Sequence, residues 1–377
     1  MKPEEARKFF PALERYVWLT HGGGSPPSLR VREAVEHAAA RPFRSAEDPW
    51  GWAQEYYEDR SALLAGLGRL VGAAGDDVTL TRGTAQGLSF ARGLDWGPGD
   101  NIVSAELEFP ANMYPWLALQ TRGVELRLVK PSDGRIDPES VLDVMDDRTK
   151  AVALSLVQFW NGFRIDAARI GEQCRSRGVA FVLDAAQAAG VVRIDVDALN
   201  CDLLAAGAIK WLQGPVGIGF AYVRPEVAER IDPPLVGLGS MASHDYFQTG
   251  LEFAPGARRF QESACSFHDV AGFRAAVDLL EDVGLDVIED IVLDHTAYLG
   301  DGLVKRGYDV VEPWPRKREE SSGIVSFRSS RFSSTEIVKA LAEAGVLAHE
   351  RGDFVRFSPH YYNTREEMDR ALNALPS

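Results

Sequence analysis

The stretch LLAAGAIKWLQGPVGIGFAYV, residues 203–223, decides the reading of this chain. An apolar run ends, a lysine (Lys210) follows, and a glycine-rich loop leads into a second apolar run. A lysine buried at a strand end has a depressed pKa, and a neutral amine is a nucleophile toward an aldehyde. Upstream, VAFVLDAAQAAG (179–190) ends an apolar strand at Asp184, with Gln187 a short step beyond. A carboxylate at one strand end and a lysine at the next is what pyridoxal phosphate requires. The lysine holds the aldehyde, and the carboxylate keeps the pyridine nitrogen protonated so that the ring accepts electrons. Taken alone, each residue has a plainer reading: Asp184 as a helix N-cap, Lys210 as a solvated strand-end lysine. Their order and spacing together favour the cofactor.

Composition sets the outer limits. The chain has 377 residues, 45% of them hydrophobic, with 35 Gly and 20 Pro, which suits a large domain with a smaller companion. A net charge of −14 argues against nucleic acid as a partner, because no face would neutralise many phosphates. No apolar run reaches membrane-spanning length, so no membrane partner is expected. The opening MKPEEARKFFPALERY is too charged for a secretory leader. Cys174, Cys201 and Cys265 are too scattered for a disulfide framework or a metal cluster, and a cytoplasmic setting is expected.

The middle of the chain alternates strands and helices. NIVSA (101–105), VELRLV (124–129), KAVALSLV (150–157), VAFVLD (179–184), CDLLAAG (201–207) and GIGFAYV (217–223) are short and apolar. Helix-like stretches such as 111–121 and 166–177 lie between most of them. This predicts an α/β fold with a mostly parallel central sheet covered by helices. GIGFAYV follows CDLLAAG so closely that an antiparallel strand is expected there. Beyond about residue 260 a long helical stretch (267–306) precedes short strands near 308–311, 323–328 and 353–357. Helices over 333–344 and 364–375 complete a smaller α+β domain.

Further segments carry chemistry. In TLTRGTAQGLSFARGL (79–94), a turn at Gly83–Thr84 opens a helix, and backbone N–H groups with the threonine hydroxyl suit a phosphate. A simple Thr-capped helix reads the same way. SAELEFPANMYPW (104–116) puts Phe109 just past a strand, where it stacks on a flat cofactor or packs in the core. In ERGDFVRFSPHYYNTREEMDRAL (350–372), Arg356 precedes a Ser-Pro turn, and a guanidinium there can clamp a substrate carboxylate. A surface arginine is the plainer alternative. Arg44, Trp50 and Trp52 of RPFRSAEDPWGW (41–52) either face the ligand or, as is usual for aromatic residues, pack structurally.

These segments, in this order, resemble the class V aminotransferase-fold enzymes of the fold-type-I pyridoxal-phosphate superfamily, in their isopenicillin N epimerase-like and cysteine desulfurase-like branch. Asp-x-x-Gln and KWLQGPVGIGF carry the most specific part of the likeness. The resemblance implies that Lys210 forms the Schiff base and shuttles protons. It implies that Asp184 pairs with the ring nitrogen, that Gln187 approaches the ring hydroxyl, and that Gly83 and Thr84 hold the phosphate. It puts Phe109 at the stacking position, and Arg356 and His21, the latter from WLTHGGGSPP (18–27), at the substrate. Gly207 and Ile209 stand where many relatives have Ser and His. Glu262-Ser263-Ala264 stands where the family has a segment reaching the partner subunit, so Ser263 is the candidate for that hydroxyl in a homodimer. The implied division is an N-terminal segment 1–25 joining the small domain, a large cofactor domain over 26–260 and a small domain over 261–377. No cysteine follows Cys265, so a desulfurase carrying sulfur on a C-terminal loop cysteine is not expected. The expected function is action on an amino acid through an external aldimine and quinonoid, as a lyase that expels a β-substituent of the C–S type. Transamination, epimerisation and a non-catalytic binding role on the same scaffold stay open.

Overall fold

The structure, a computed structural model, describes residues 1–43, 48–243, 245, 247 and 249–376. After a two-residue strand β1 (Val17–Trp18) come β2 (Val78–Thr81), β3 (Asn101–Ala105), β4 (Glu125–Val129), β5 (Thr149–Ser155), β6 (Ala180–Asp184), β7 (Leu203–Gly207) and β8 (Gly219–Val223). The last seven form one sheet in the order β2–β8–β7–β6–β5–β3–β4. The pairs among β3 to β7 are parallel, and β8 runs antiparallel to β2 and β7 as its sequence predicts.

The strand sequences explain the layering. Strands β3, β6 and β8 are buried along their whole length, because helices cover both sheet faces. Alternate residues of β5 enter different cores: Val152 and Leu154 on one face, Ala151 and Ala153 on the other. At the edge, β4 exposes charged Glu125, and Arg127 beside it is half-buried, which discourages pairing with another chain. The helix expected over 111–121 is broken into short turns around Tyr114–Leu117, since Pro110 and Pro115 lack the N–H a continuous helix needs.

The second sheet orders as β12–β13–β10–β9, from β9 (Asp309–Val310), β10 (Val325–Arg328), β12 (His349–Arg351) and β13 (Phe354–Phe357), all antiparallel. The remaining strand, β11 (Val346–Leu347), pairs in parallel with β1, and Thr20 bridges to Ser358. The N-terminal segment is thus stitched to the C-terminal body. The expected boundary at 260/261 needs moving. Helix Phe267–Val283 packs on helices Leu29–Ala40 and Gly51–Val71 and shares the large core through Val270, Phe273 and Leu280. The chain turns away only at Gly284, whose φ of +92° suits glycine. Among the described residues no helix is long and apolar enough to cross a membrane.

Helix Thr84–Ser89 lies against β7 and β8 through Gly87, where an added Cβ would fall 2.6 Å from Ala205 Cβ and 3.1 Å from Ala221 Cβ. Gly87→Val should therefore lower unfolding stability by about 1–3 kcal/mol in urea titrations, the usual cost of overpacking. An unchanged midpoint would show that the helix can slide off the sheet freely.

Candidate active site

Lys210 lies in the turn that leaves β7, and its main chain is held from both sides. Its carbonyl accepts from Ser25 Oγ at 2.6 Å and from Gln213 N at 3.1 Å. Gln213 adopts φ of +59° to close that turn. The neighbouring Trp211 is fully buried, with Nε1 donating to Gln187 Oε1 at 2.9 Å and its carbonyl 3.0 Å from His360 Nε2. These contacts fix where the lysine side chain starts. Its amine lies 5.2 Å from the centroid of the Phe109 ring. The surrounding protein strips water from it and pulls its pKa to about 8. Asp184 opposes that shift, while Arg356 and Arg351 add to it.

Asp184 ends β6, next to β7 and in register with Ser155 of β5. One carboxylate oxygen accepts from Ala186 N at 2.8 Å. Burial raises its pKa to about 6, against the pull of that N–H and of Lys210, with Glu108 pushing the same way as burial. Glu108, one residue before Phe109, is a second buried carboxylate. It accepts from Ser155 N at 2.8 Å, from Gln158 Nε2 at 3.0 Å and from the Ser155 hydroxyl, and burial raises its pKa. The sequence reading missed it, although it stands beside a residue that was singled out; nothing local signals that its side chain turns toward Asp184.

Arg356 is 1% exposed. Nη1 donates to the Phe159 carbonyl at 2.8 Å, and Nε and Nη2 are buried with no partner among the described residues. An arginine buried with open N–H groups is costly unless an anion completes it. The backbone of Gly22 lies flat on it, since a Cβ there would come within 2.9 Å of the guanidinium. Across the site, Gly83 has φ of +149° and faces open space. A Cβ at Gly207 would stand 3.6 Å from Thr84 Oγ1, so the 83–84 turn lies over the end of β7. Among the described residues no hydrogen bond uses the Thr84 hydroxyl.

The structure thus gathers Asp184, Phe109 and Arg356 about the Lys210 amine, the space between them being the candidate recess, with Gly83 and Thr84 beside the end of β7 that leads to Lys210. Phe109 is surface-facing, edge-on to Phe159 at 5.3 Å, and not a core residue. Gln187 is partly committed: besides Trp211, its Nε2 donates to the Gly22 carbonyl at 2.9 Å, leaving one N–H and one lone pair. His21 corrects the expectation. It is fully buried, with Nδ1 donating to the Ser358 carbonyl at 2.7 Å and Nε2 accepting from the Tyr362 hydroxyl at 2.5 Å. Both nitrogens are spent inside a cluster with Trp211, His360 and Tyr362, so His21 fixes the small body to the lysine loop and does not meet substrate. Ser263 is not gathered around Lys210 within the chain. It lines a separate pocket of about 180 Å³ with Thr81, Arg82, Gly217 and Cys265. Trp52 packs on Phe267 at 4.8 Å, Trp50 is exposed, and Arg44 lies outside the described residues.

The group these residues leave room for has an aldehyde for Lys210, a basic nitrogen for Asp184, a flat face for Phe109 and an anion for Thr84. That is pyridoxal 5′-phosphate, and the class defined is the fold-type-I pyridoxal-phosphate enzymes. Residues 30–371 match the aminotransferase class-V family, and the chain belongs to that family. It is 27% identical to a probable cysteine desulfurase of Methanothermobacter thermautotrophicus, covering 98% of this chain and 96% of that one. It is 31% identical to an uncharacterized protein of Schizosaccharomyces pombe, over 98% and 86% of the two chains. A cysteine desulfurase of Thermococcus onnurineus has the same fold, with a TM-score of 0.89 at 23% identity over 99% of this chain and 97% of that one.

Because the neutral amine is the reactive form, uptake of pyridoxal phosphate by the apoprotein should quicken as pH rises from 7 through about 8 and then level off. Stopped-flow visible absorption measures it. A rate still climbing steeply above pH 10 would mean that Lys210 keeps an ordinary pKa.

Proposed function

We propose that this enzyme is a C–S lyase acting on an amino acid whose β-carbon carries sulfur. The observation that carries the reading is the pairing of Lys210 with Arg356. One is a desolvated amine and the other a buried guanidinium with two unpaired nitrogens, near enough that the guanidinium lowers the amine's pKa. The probable desulfurase relative supports sulfur as the leaving atom.

When bound, pyridoxal phosphate supplies an aldehyde and an electron-accepting ring. Arg356 takes the α-carboxylate by two parallel N–H bonds, which fixes the Cα–H bond relative to Lys210. The Lys210 amine is placed to remove the α-proton, and Asp184 would hold the proton on the nitrogen of a bound pyridine ring. The Cβ–S bond then breaks with its electron pair on sulfur, which leaves as a thiolate and is protonated to the thiol. Hydrolysis of the remaining fragment gives pyruvate and ammonia. Phe109, its ring centroid 5.2 Å from the Lys210 amine, would cover one face of a bound ring and limit water there. Among the described residues no cysteine is gathered beside Lys210: Cys174 and Cys201 are buried with raised thiol pKa values, and Cys265, half-buried with its thiol pKa also raised by burial, lines the separate pocket with Ser263, so sulfur is read as leaving in solution.

The same reading extends to assembly and setting. We read the chain as a cytoplasmic homodimer with Ser263 facing the partner's phosphate site. Exposed Leu235, Val236, Leu238, Phe247 and Leu251 give one segment an apolar surface suited to such an interface. The three free cysteines agree with a reducing compartment.

Pyruvate and thiol release from L-cysteine and S-alkyl-cysteines, measured together, tests the reaction. Conversion of the cofactor to its amine form, or racemisation without thiol, would replace this reading by transamination or epimerisation. Asp184→Asn should retain the cofactor yet slow turnover about 10²–10³-fold; an unchanged rate would mean that another group protonates the ring. Arg356→Lys keeps the charge but loses the fork, so kcat/KM should fall roughly 30-fold or more. Normal kcat/KM in that variant would remove Arg356 from the substrate site.

A further inference from the structure

The small sheet presents more positive charge to the recess than one α-carboxylate uses. In the β12–β13 pair His349 stands opposite Arg356 and Arg351 opposite Phe354. Residues directly opposite share a face of an antiparallel sheet, and residues two apart on one strand share it too. His349, Arg351 and Arg356 therefore project from one side. That side is the one turned to the large body, because Arg356 reaches the Phe159 carbonyl and Ser326, opposite Arg356 on β10, donates to the Trp160 carbonyl. Glu350, between the two basic residues, turns to the other side, where the Ser334 and Thr335 hydroxyls hold it.

Beside Arg356 stand, among the described residues, an exposed guanidinium with no carboxylate partner, Arg351, and a buried ring nitrogen with no partner at all, on His349. The Arg351 guanidinium makes only a long bond to the Glu350 carbonyl at 3.4 Å, and among the described residues it pairs with no carboxylate. His349 is half-buried, and its Nδ1 is buried without a partner. The ring lies directly against the chain at Gly23, where an added Cβ would fall 1.9 Å from Cε1, so its position is set by the Gly22–Gly24 backbone. Burial and the two guanidiniums hold the His349 pKa at about 4, which keeps the ring neutral near pH 7 and able to offer one N–H. Arg351 and Arg356 both act on the Lys210 amine, and His349 shares their face of the sheet, opposite Arg356.

We infer that the substrate carries a second acidic group on its side chain, and that Arg351 and His349 Nδ1 receive it while Arg356 holds the α-carboxylate. The inference rests on the C–S lyase reading above and narrows it to cysteine S-conjugates that end in a carboxylate or comparable oxyanion. A neutral conjugate of equal size forgoes the charge-assisted bond to Arg351, and one without an acceptor would also leave the His349 nitrogen unsatisfied, a loss that such sites convert into discrimination.

S-Carboxymethyl-L-cysteine and S-carbamoylmethyl-L-cysteine form the test pair, since they differ only in carboxylate against amide. With holoenzyme, dissociation constants come from the shift of the visible cofactor band and kcat/KM from pyruvate release. The carboxymethyl compound should bind at least about tenfold more tightly, the factor that one charge-assisted hydrogen bond supplies. Arg351→Gln should bring the ratio to about one, and His349→Ala should reduce it several-fold. Arg356→Gln should weaken both compounds alike. Equal binding by the wild type, a ratio that survives Arg351→Gln, loss confined to the carboxymethyl compound in Arg356→Gln, or binding of neither compound would each overturn the inference. If both compounds bind with the expected ratio but neither releases pyruvate, the C–S lyase reading fails and the acidic side-chain subsite stands.

Discussion

Removing Lys210 from water without neutralising it by a close partner is the constraint on which the rest of the structure depends. A carboxylate in direct contact would restore the amine's ordinary pKa and keep it protonated. Asp184 is instead placed one strand away, at the end of β6, where it raises the lysine pKa less than burial lowers it. Asp184 is itself shifted upward to about 6 by its surroundings. Both shifts oppose folding near neutral pH, and their signs differ. The carboxyl is raised in the folded state, so its cost is present above its unfolded pKa and is relieved as pH falls through about 6. The lysine is lowered, so its cost is present below its unfolded pKa and is relieved as pH rises through about 8. Such costs are typical of functional sites and persist because the surrounding core over-determines the geometry.

That core comes from two sources. The parallel strands β5, β6 and β7 carry Ser155, Asp184 and Gly207 to one edge of the large sheet. The other source is the seam between the N-terminal segment and the small sheet. There His21, Tyr362, His360 and Trp211 form one buried polar and aromatic cluster whose hydrogen bonds end on the lysine loop. Glycines 22–24 run along this seam with so little side-chain bulk that Arg356 and His349 can lie on the backbone. Lys210 is held by the large body and Arg356 and His349 by the small one, so the site forms only where the two meet.

Much of the fold was legible in the sequence for simple reasons. β3 matched its expected span, because the apolar and small run Ile102–Ala105, entered through Asn101 and closed by Glu106, admits few alternatives. The antiparallel β8 followed from loop length alone, since a parallel strand would need a longer crossover. Strands β11 and β12 were missed, being two and three residues long and defined by partners far away in sequence. The same limit governs the site. Lys210 and Asp184 are readable because they interrupt apolar strands, where a charge stands out. Glu108, His349 and Arg351 lie in polar stretches, where a charge is ordinary, and only tertiary structure shows that Glu108 is buried and that His349 and Arg351 share the face of Arg356. His21 erred the other way: the family resemblance of WLTHGGGSPP put it at the substrate, while its partners Ser358 and Tyr362 lie more than three hundred residues downstream.

The central claim is that Lys210 is the residue that holds the cofactor. The most direct measurement is borohydride reduction of the yellow holoenzyme, followed by proteolysis and mass spectrometric location of the phosphopyridoxyl group. The account predicts a single modified peptide carrying Lys210. Attachment at any other lysine, or a reduced protein with no covalent cofactor, would contradict it.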